Sequence, residues 1–229
     1  MDVFGEALKD QYTKPPSETL WVHNSYDEPE EMPVDIYFRN ESEMPDLELK
    51  ALELCRGKVL DVGAGVGSHA LVLQSRGFDV TGMDISASAV SIMTQRGLKK
   101  AVEGNILKYK EDTFDTLLFM MNGIGLTGTI KGLTTFLKDV KSLLKPDGQL
   151  IFDSSDLSYL YQEVSFPASG YYGEVSFRYE YKSVKGSWFK WIYVDQQTLK
   201  SLAEKQGWKV EIVFEDDQDQ YLARLSLPR

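Results

Sequence analysis

The sequence predicts a doubly wound α/β fold around a mostly parallel sheet. Three observations point there: apolar runs alternating with helical patterns, a glycine-rich turn between the first run and the first helix, and a closing antiparallel pair. The alternation begins at Lys58, and Val59-Leu60-Asp61-Val62 is the first strand. A helix over 68–76 follows, carrying Ala70, Leu71 and Leu73, with Gly77 where a left-handed C-cap is needed. Residues 78–83 form a second strand. Ser86 caps the next helix, whose Ala89, Val90 and Met93 make one face before Gly97 ends it. Lys100-Ala101-Val102-Glu103 is a short third strand.

Residues 114–121 are nearly all apolar after Asp115, as a central strand covered on both faces requires. Leu133, Phe136, Leu137, Val140, Leu143 and Leu144 then recur at helical spacing. Lys145-Pro146-Asp147-Gly148 turns the chain into a strand over 149–153, completing a second βαβ half. Beyond it the alternation stops. Val175, Phe177, Tyr179 and Tyr181 alternate with Ser176, Arg178, Glu180 and Lys182, and an aromatic run over 188–194 follows Lys185-Gly186, which predicts an antiparallel hairpin turning at 185–186. A helix over 198–206 and strands over 208–214 and 221–225 close the chain. Before Cys55 the sequence is polar and punctuated by proline, with one helix over 45–54.

Bulk properties bound the function. A chain of 229 residues with 42% hydrophobic content suits a single core. Its 25 basic and 35 acidic residues leave a net charge of -10, which repels a phosphate backbone and argues against a nucleic-acid partner. No segment has the apolar length of a membrane span, and the start, Met1 to Glu6, lacks a secretory signal, so a cytoplasmic location without a membrane partner is expected. The single Cys55 forms no internal disulfide, and two histidines are too few for a conventional zinc cluster, so no metal is expected.

The most informative segment is Asp61-Val62-Gly63-Ala64-Gly65-Val66-Gly67-Ser68. Glycines between a strand and a helix expose backbone N–H groups with no Cβ in the way. Asp84 ends the next strand, at the spacing where an acid meets the ribose hydroxyls of a nucleoside. That much also fits a dinucleotide fingerprint, but the third glycine, Gly67, comes one position early. Asp61 also places a carboxylate where a dinucleotide carries its pyrophosphate; a carboxylate suits a cationic amino group instead.

On Asp61 to Gly67, Val80-Thr81-Gly82-Met83-Asp84-Ile85-Ser86, Gly104-Asn105-Ile106 and Lys145 to Phe152, the chain resembles the class I S-adenosylmethionine-dependent methyltransferase family from about Gly57 onward. The resemblance implies a Rossmann-like, seven-stranded sheet whose last strand is antiparallel, with an N-terminal lid and a β-hairpin insertion. It divides the single domain 1–229 into a lid and helix (1–56), a cofactor-binding half (57–155), the insertion (156–197) and a C-terminal helix with antiparallel strands (198–229). It further implies S-adenosylmethionine as cofactor: Asp61, Gly63, Ala64, Gly65 and Gly67 against the methionine part, Asp84 on the ribose with Ile85 beside it, and Ile106 at the adenine. Asn105 stands where the family often has Asp, and its amide oxygen can still accept from the adenine amino group. Tyr37 and Arg39 of the lid reach the methionine carboxylate, and Met121 and Asn122 follow the fourth strand near the reactive methyl.

Methyl transfer from a sulfonium mainly needs alignment, so no catalytic residue need stand out, and none does. The expected acceptor is a small molecule. Its candidate contacts are Asn122 in Asn122-Gly123-Ile124-Gly125, which otherwise reads as a flexible glycine turn, His23 as the best available base, and Trp188 and Trp191 of the hairpin, which either roofs the pocket or pairs with another subunit. Two competing readings stay open: a nicotinamide-dependent oxidoreductase, and a non-catalytic module that binds S-adenosylmethionine. The oligomeric state is not specified by the sequence.

Overall fold

The computed structural model describes residues 2–161, 170–217 and 219–228. Along the chain lie α1 (Val3–Thr13), β1 (Leu20–Asn24), β2 (Glu30–Met32), α2 (Asp46–Leu54), β3 (Lys58–Val62), α3 (Ser68–Ser75), β4 (Asp79–Asp84), α4 (Ala87–Gln95) and β5 (Ala101–Glu103). There follow β6 (Phe114–Phe119), α5 (Ile130–Asp139), β7 (Leu144–Ser155), β8 (Glu174–Tyr181), β9 (Val184–Lys185), β10 (Phe189–Ile192), α6 (Gln196–Lys205), β11 (Lys209–Glu215) and β12 (Gln220–Ser226). Seven strands share a sheet in the order β11-β12-β7-β6-β3-β4-β5. Within it β4 and β5, like β6 and β7, pair in parallel, whereas the last strand, β12, runs antiparallel to both β7 and β11. This is the mostly parallel, doubly wound sheet with an antiparallel last strand that the sequence predicts. A second sheet has the order β10-β8-β1-β2, with β9 against β8.

Two compact units emerge: Met1–Met44 with Leu60–Tyr109 and Ser176–Phe189, and Pro45–Val59 with Lys110–Val175 and Lys190–Arg229. In the first, α1 is a helix the sequence reading did not place. Asp2 caps it by accepting from the Gly5 N–H at 2.8 Å. Its apolar residues, Val3, Phe4, Ala7 and Leu8, occupy fewer than two turns, too short a run for a periodic signal. Even so, Val3, Ala7 and Leu8 are buried with Leu20, Val34, Val66, Ala89, Ile92 and Tyr181 in one core cluster. At roughly 1.5 to 3 kcal/mol for each large apolar side chain buried, this packing makes the N-terminal segment part of the core.

The predicted hairpin is present, with β8 beside β10 in the second sheet, and is corrected in two details. Its turn is not at Lys185-Gly186 but at Lys182-Ser183, where φ is 50° and 62° and Tyr181 faces Val184, the mirror-type geometry that matches strand twist. A remote strand also joins it: β8 pairs antiparallel with β1, from Leu20↔Tyr181 to Asn24↔Phe177. Residues 162–169 of the predicted insertion lie outside the described residues.

In the second unit, β6 is buried beyond Asp115, as a central strand should be. The helix predicted to reach Leu144 is instead α5 followed by a 3-10 turn over Val140–Leu143, and β7 begins at Leu144, ahead of the predicted turn residues. Asp147 takes up the irregularity with φ 64°. Trp208 is buried just before β11 and donates from Nε1 to the Leu137 carbonyl at 2.8 Å, tying that strand to α5.

Candidate functional site

In the first unit, β3 ends in Asp61, only 1% exposed, and Val62, and the chain then turns through three glycines with φ of 68° (Gly63), 55° (Gly65) and 83° (Gly67). Residues with a Cβ rarely adopt this left-handed region, which is why the turn needs glycine. Gly67 has a second reason, because a Cβ there would lie 2.9 Å from Met93 Cγ. At Gly63 the reason is different: an added Cβ would meet nothing within 4 Å, so the backbone faces open space that a ligand can enter. The Gly65 amide donates to Asp84 Oδ2 at 2.9 Å, and the Ser86 amide donates to Oδ1 at 2.9 Å. Burial pushes the Asp84 carboxyl above its ordinary range; the N–H groups of Ser86 and Gly65 oppose the shift and Asp2 adds to it.

Tyr37 and Arg39 sit at the end of a 3-10 turn over Val34–Phe38. The Ser68 hydroxyl donates to the Tyr37 carbonyl at 2.6 Å, and the Tyr37 ring lies 3.7 Å from where a Gly65 Cβ would be. The structure therefore brings Tyr37 to the glycine turn. Phe4 packs edge-on to Tyr37 (5.0 Å between ring centres) and stacks on Tyr179 (5.1 Å). Burial raises the Tyr179 hydroxyl pKa, and Tyr37 and Asp84 push it the same way. Phe4 was not singled out from the sequence, whereas Tyr179 is one of the aromatic residues of the hairpin expected either to roof the pocket or to pair with another subunit. The available signal was the alternation in 175–181, which puts Tyr179 and Phe177 on one face.

Ile85 follows Asp84 with 75% of its surface exposed, and Leu107, two residues after Asn105, is 53% exposed. Large apolar side chains so exposed next to a polar cradle suit a flat apolar ligand group. The Asn105 side-chain oxygen accepts from the Leu107 N–H at 2.9 Å, while Ile106 is buried.

His23 and Trp188 lie elsewhere. Along β1 and β8, His23 shares a face with Glu180 and Arg178, opposite to that of Val22 and Tyr179. His23 Nε2 is 2.7 Å from Glu180 Oε2, and this contact holds the Glu180 carboxyl below its ordinary range. Trp188, 50% exposed, has the Arg178 guanidinium 4.7 Å from its ring centre. The structure does not bring these two residues to the glycine turn.

In the second unit, the chain after β6 passes through Met121 (φ 58°) and Asn122 (φ 54°) into a buried 3-10 turn over Gly123–Thr127, not the flexible glycine turn the composition suggested. Asp153, at the end of β7 and 1% exposed, accepts the Asn122 N–H on Oδ2 at 2.8 Å and the Gln220 Nε2 at 3.1 Å. The Asn122 side chain donates to the Ile192 carbonyl (3.2 Å) and accepts from the Ser154 hydroxyl (2.9 Å), whose oxygen accepts from the Val194 N–H (3.0 Å). Trp191 joins this loop, since a Cβ on Gly125 would fall 2.0 Å from its Nε1. Burial pushes the Asp153 carboxyl up to about 6 against the N–H groups of Asn122 and Asp153 itself, with Glu48 pushing the same way as burial. Among the described residues no group of His, Cys, Asp and Glu is placed to hold a metal ion, and no helix is long and apolar enough to cross a membrane.

Comparison with known proteins bears on this geometry. A family profile described as "Methyltransferase domain" matches residues 37–213. The whole chain aligns, at 41% identity and a TM-score of 0.92, with 95% of a S-adenosylmethionine-dependent methyltransferase from Bacteroides fragilis, whose crystal structure is a complex with S-adenosyl-L-homocysteine. A demethylmenaquinone methyltransferase of Tropheryma whipplei is 29% identical over 99 residues, 41% of this chain and 40% of that one. A 23S rRNA (uracil-C5)-methyltransferase of Pyrococcus horikoshii is 30% identical over 79 residues, 34% of this chain and 19% of that one. The chain thus spans less than half the length of the curated relatives it matches.

Proposed function

The chain belongs to the methyltransferase-domain family, and we propose that it is a S-adenosylmethionine-dependent methyltransferase acting on a small-molecule acceptor. The observation that carries this reading is the glycine turn, with open backbone at Gly63 and the Gly65 amide held by Asp84. In this reading Asp84 accepts from the ribose hydroxyls through lone pairs that the Gly65 and Ser86 amides leave available. Ile85, Asn105 and Ile106 receive the adenine. Gly63, Ala64, Gly65 and Gly67 lie against the methionine part, with Asp61 facing its amino group and Tyr37 and Arg39 its carboxylate. Met121 and Asn122, on a turn fixed by Asp153, border the acceptor.

S-adenosylmethionine, when bound, supplies a methyl group already activated on a sulfonium. The chain's own task is then to align and to exclude water, which can lower a barrier by about 7 to 11 kcal/mol. The net charge of -10 supports a small acceptor over RNA, and the lone buried thiol, Cys55, accords with a cytoplasmic setting. The partial likeness to an rRNA methyltransferase puts RNA into the same test.

Calorimetry with S-adenosylmethionine, S-adenosylhomocysteine and NAD decides the cofactor. Dissociation constants of about micromolar order are expected for the first two, with no binding of NAD. Methyl transfer from radiolabelled cofactor to small metabolites, quinones and ribosomal RNA then decides the acceptor class. Label on RNA alone overturns the small-molecule reading, and tight cofactor binding without transfer to any acceptor favours the non-catalytic module.

A further inference from the structure

We propose that Arg96 is a positioning residue that clamps the N-terminal segment onto the glycine turn and thereby sets the affinity of the cofactor site; this rests on the methyltransferase reading above. Arg96 is the C-cap of α4, 29 positions beyond Gly67. Its Nη1 donates to the Val66 carbonyl at 2.8 Å and to Ser68 Oγ at 3.1 Å, and its Nη2 donates to the Phe38 carbonyl at 3.3 Å. The guanidinium also lies 5.4 Å from the Phe38 ring centre, a cation–π contact. One planar fork therefore joins the middle of the turn, the first residue of α3 and the N-terminal segment.

The consequence for the site follows from the neighbours of these three atoms. Val66 lies between Gly65, whose amide Asp84 holds, and Gly67, which needs φ 83°. Phe38 follows Tyr37, whose ring stands over Gly65 and whose carbonyl accepts from the Ser68 hydroxyl. Fixing Val66 and Phe38 to one side chain fixes the turn and Tyr37 together. A site held in its binding arrangement does not lose free energy to ordering when the ligand enters. Lysine offers one compact ammonium in place of a fork and reproduces only part of this.

The test measures affinity for S-adenosylhomocysteine by calorimetry, and amide hydrogen exchange at 37–39 and 65–68, in wild type, Arg96→Met, Arg96→Lys and Ser68→Ala. We expect about tenfold weaker binding in Arg96→Met, partial recovery in Arg96→Lys and about threefold weaker binding in Ser68→Ala, each with faster exchange at both segments. Binding within about twofold of wild type in the folded Arg96→Met protein, or equal losses in Arg96→Met and Arg96→Lys, overturns the proposal. If Arg96→Met does not fold, unchanged binding in Ser68→Ala overturns it and the threefold loss upholds it. Failure of the wild type itself to bind S-adenosylhomocysteine defeats the methyltransferase reading, which separates that failure from one confined to the variants.

Discussion

The Gly65 amide and the Asp84 carboxylate, 2.9 Å apart, join the turn after β3 to the end of β4. Asp84 is thus both a support for the turn and the proposed ribose acceptor, so Asp84→Ala removes two functions at once. Hydrogen bonds to a charged group are worth about 1.5 to 3 kcal/mol, and the expected loss of S-adenosylhomocysteine affinity is roughly ten- to a hundredfold by calorimetry. Because burial raises the Asp84 pKa, affinity in the wild type should fall as pH drops through that raised value, while Asp84→Ala should lose this dependence. Equal affinity in the two proteins defeats the ribose assignment.

Gly63 and Gly67 separate strain from steric exclusion. Both have positive φ, so alanine costs about 1 to 2 kcal/mol at either position. At Gly67 the new methyl group also collides with Met93, and Gly67→Ala should be the less stable variant in urea unfolding. At Gly63 the methyl group enters the open space proposed for the cofactor. Gly63→Ala should therefore lose S-adenosylhomocysteine binding out of proportion to its smaller loss of stability. The reverse ranking of stabilities counts against the packing described around Met93.

The turn between β8 and β9 places Ser183 at φ 62° on an exposed position. Glycine adopts this conformation without the Cβ penalty, so Ser183→Gly should stabilise the protein by about 0.5 to 1 kcal/mol despite removing atoms. A decrease in the urea midpoint, with unchanged slope, contradicts the assigned turn.

What the sequence could and could not reveal follows from the range of each interaction. The glycine turn and Asp84 were legible because their roles depend on local backbone and on a spacing that the strand–helix–strand unit fixes. The ladder from Leu20↔Tyr181 was not, since β1 reads as an isolated polar-flanked run until its partner, more than 150 positions away, is known. Arg96 was equally silent: at the end of a helix it reads as a solvated cation, and only the fold brings Val66 and Phe38 to it. Asp153 is legible only as the polar last residue of the strand predicted over 149–153; it is burial, visible only in the fold, that chiefly displaces its titration.

That displacement has a sign that can be measured. The folded Asp153 carboxyl titrates at about 6, above the ordinary value of 3.8, so the native state holds the proton more tightly than the unfolded chain. The stability this group contributes is complete below about pH 4 and is lost as pH rises through about 6, an effect of up to roughly 3 kcal/mol. Asn in its place is neutral at every pH and keeps an oxygen that can accept from the Asn122 amide and Gln220. The stability of Asp153→Asn relative to wild type should therefore improve by one to a few kcal/mol between pH 4.5 and pH 7.5 in paired urea titrations, roughly in step with Asp153 ionisation. A difference that stays constant over that interval shows that Asp153 is already ionised at the lower pH, which would leave the Asn122 turn held by an ordinary carboxylate.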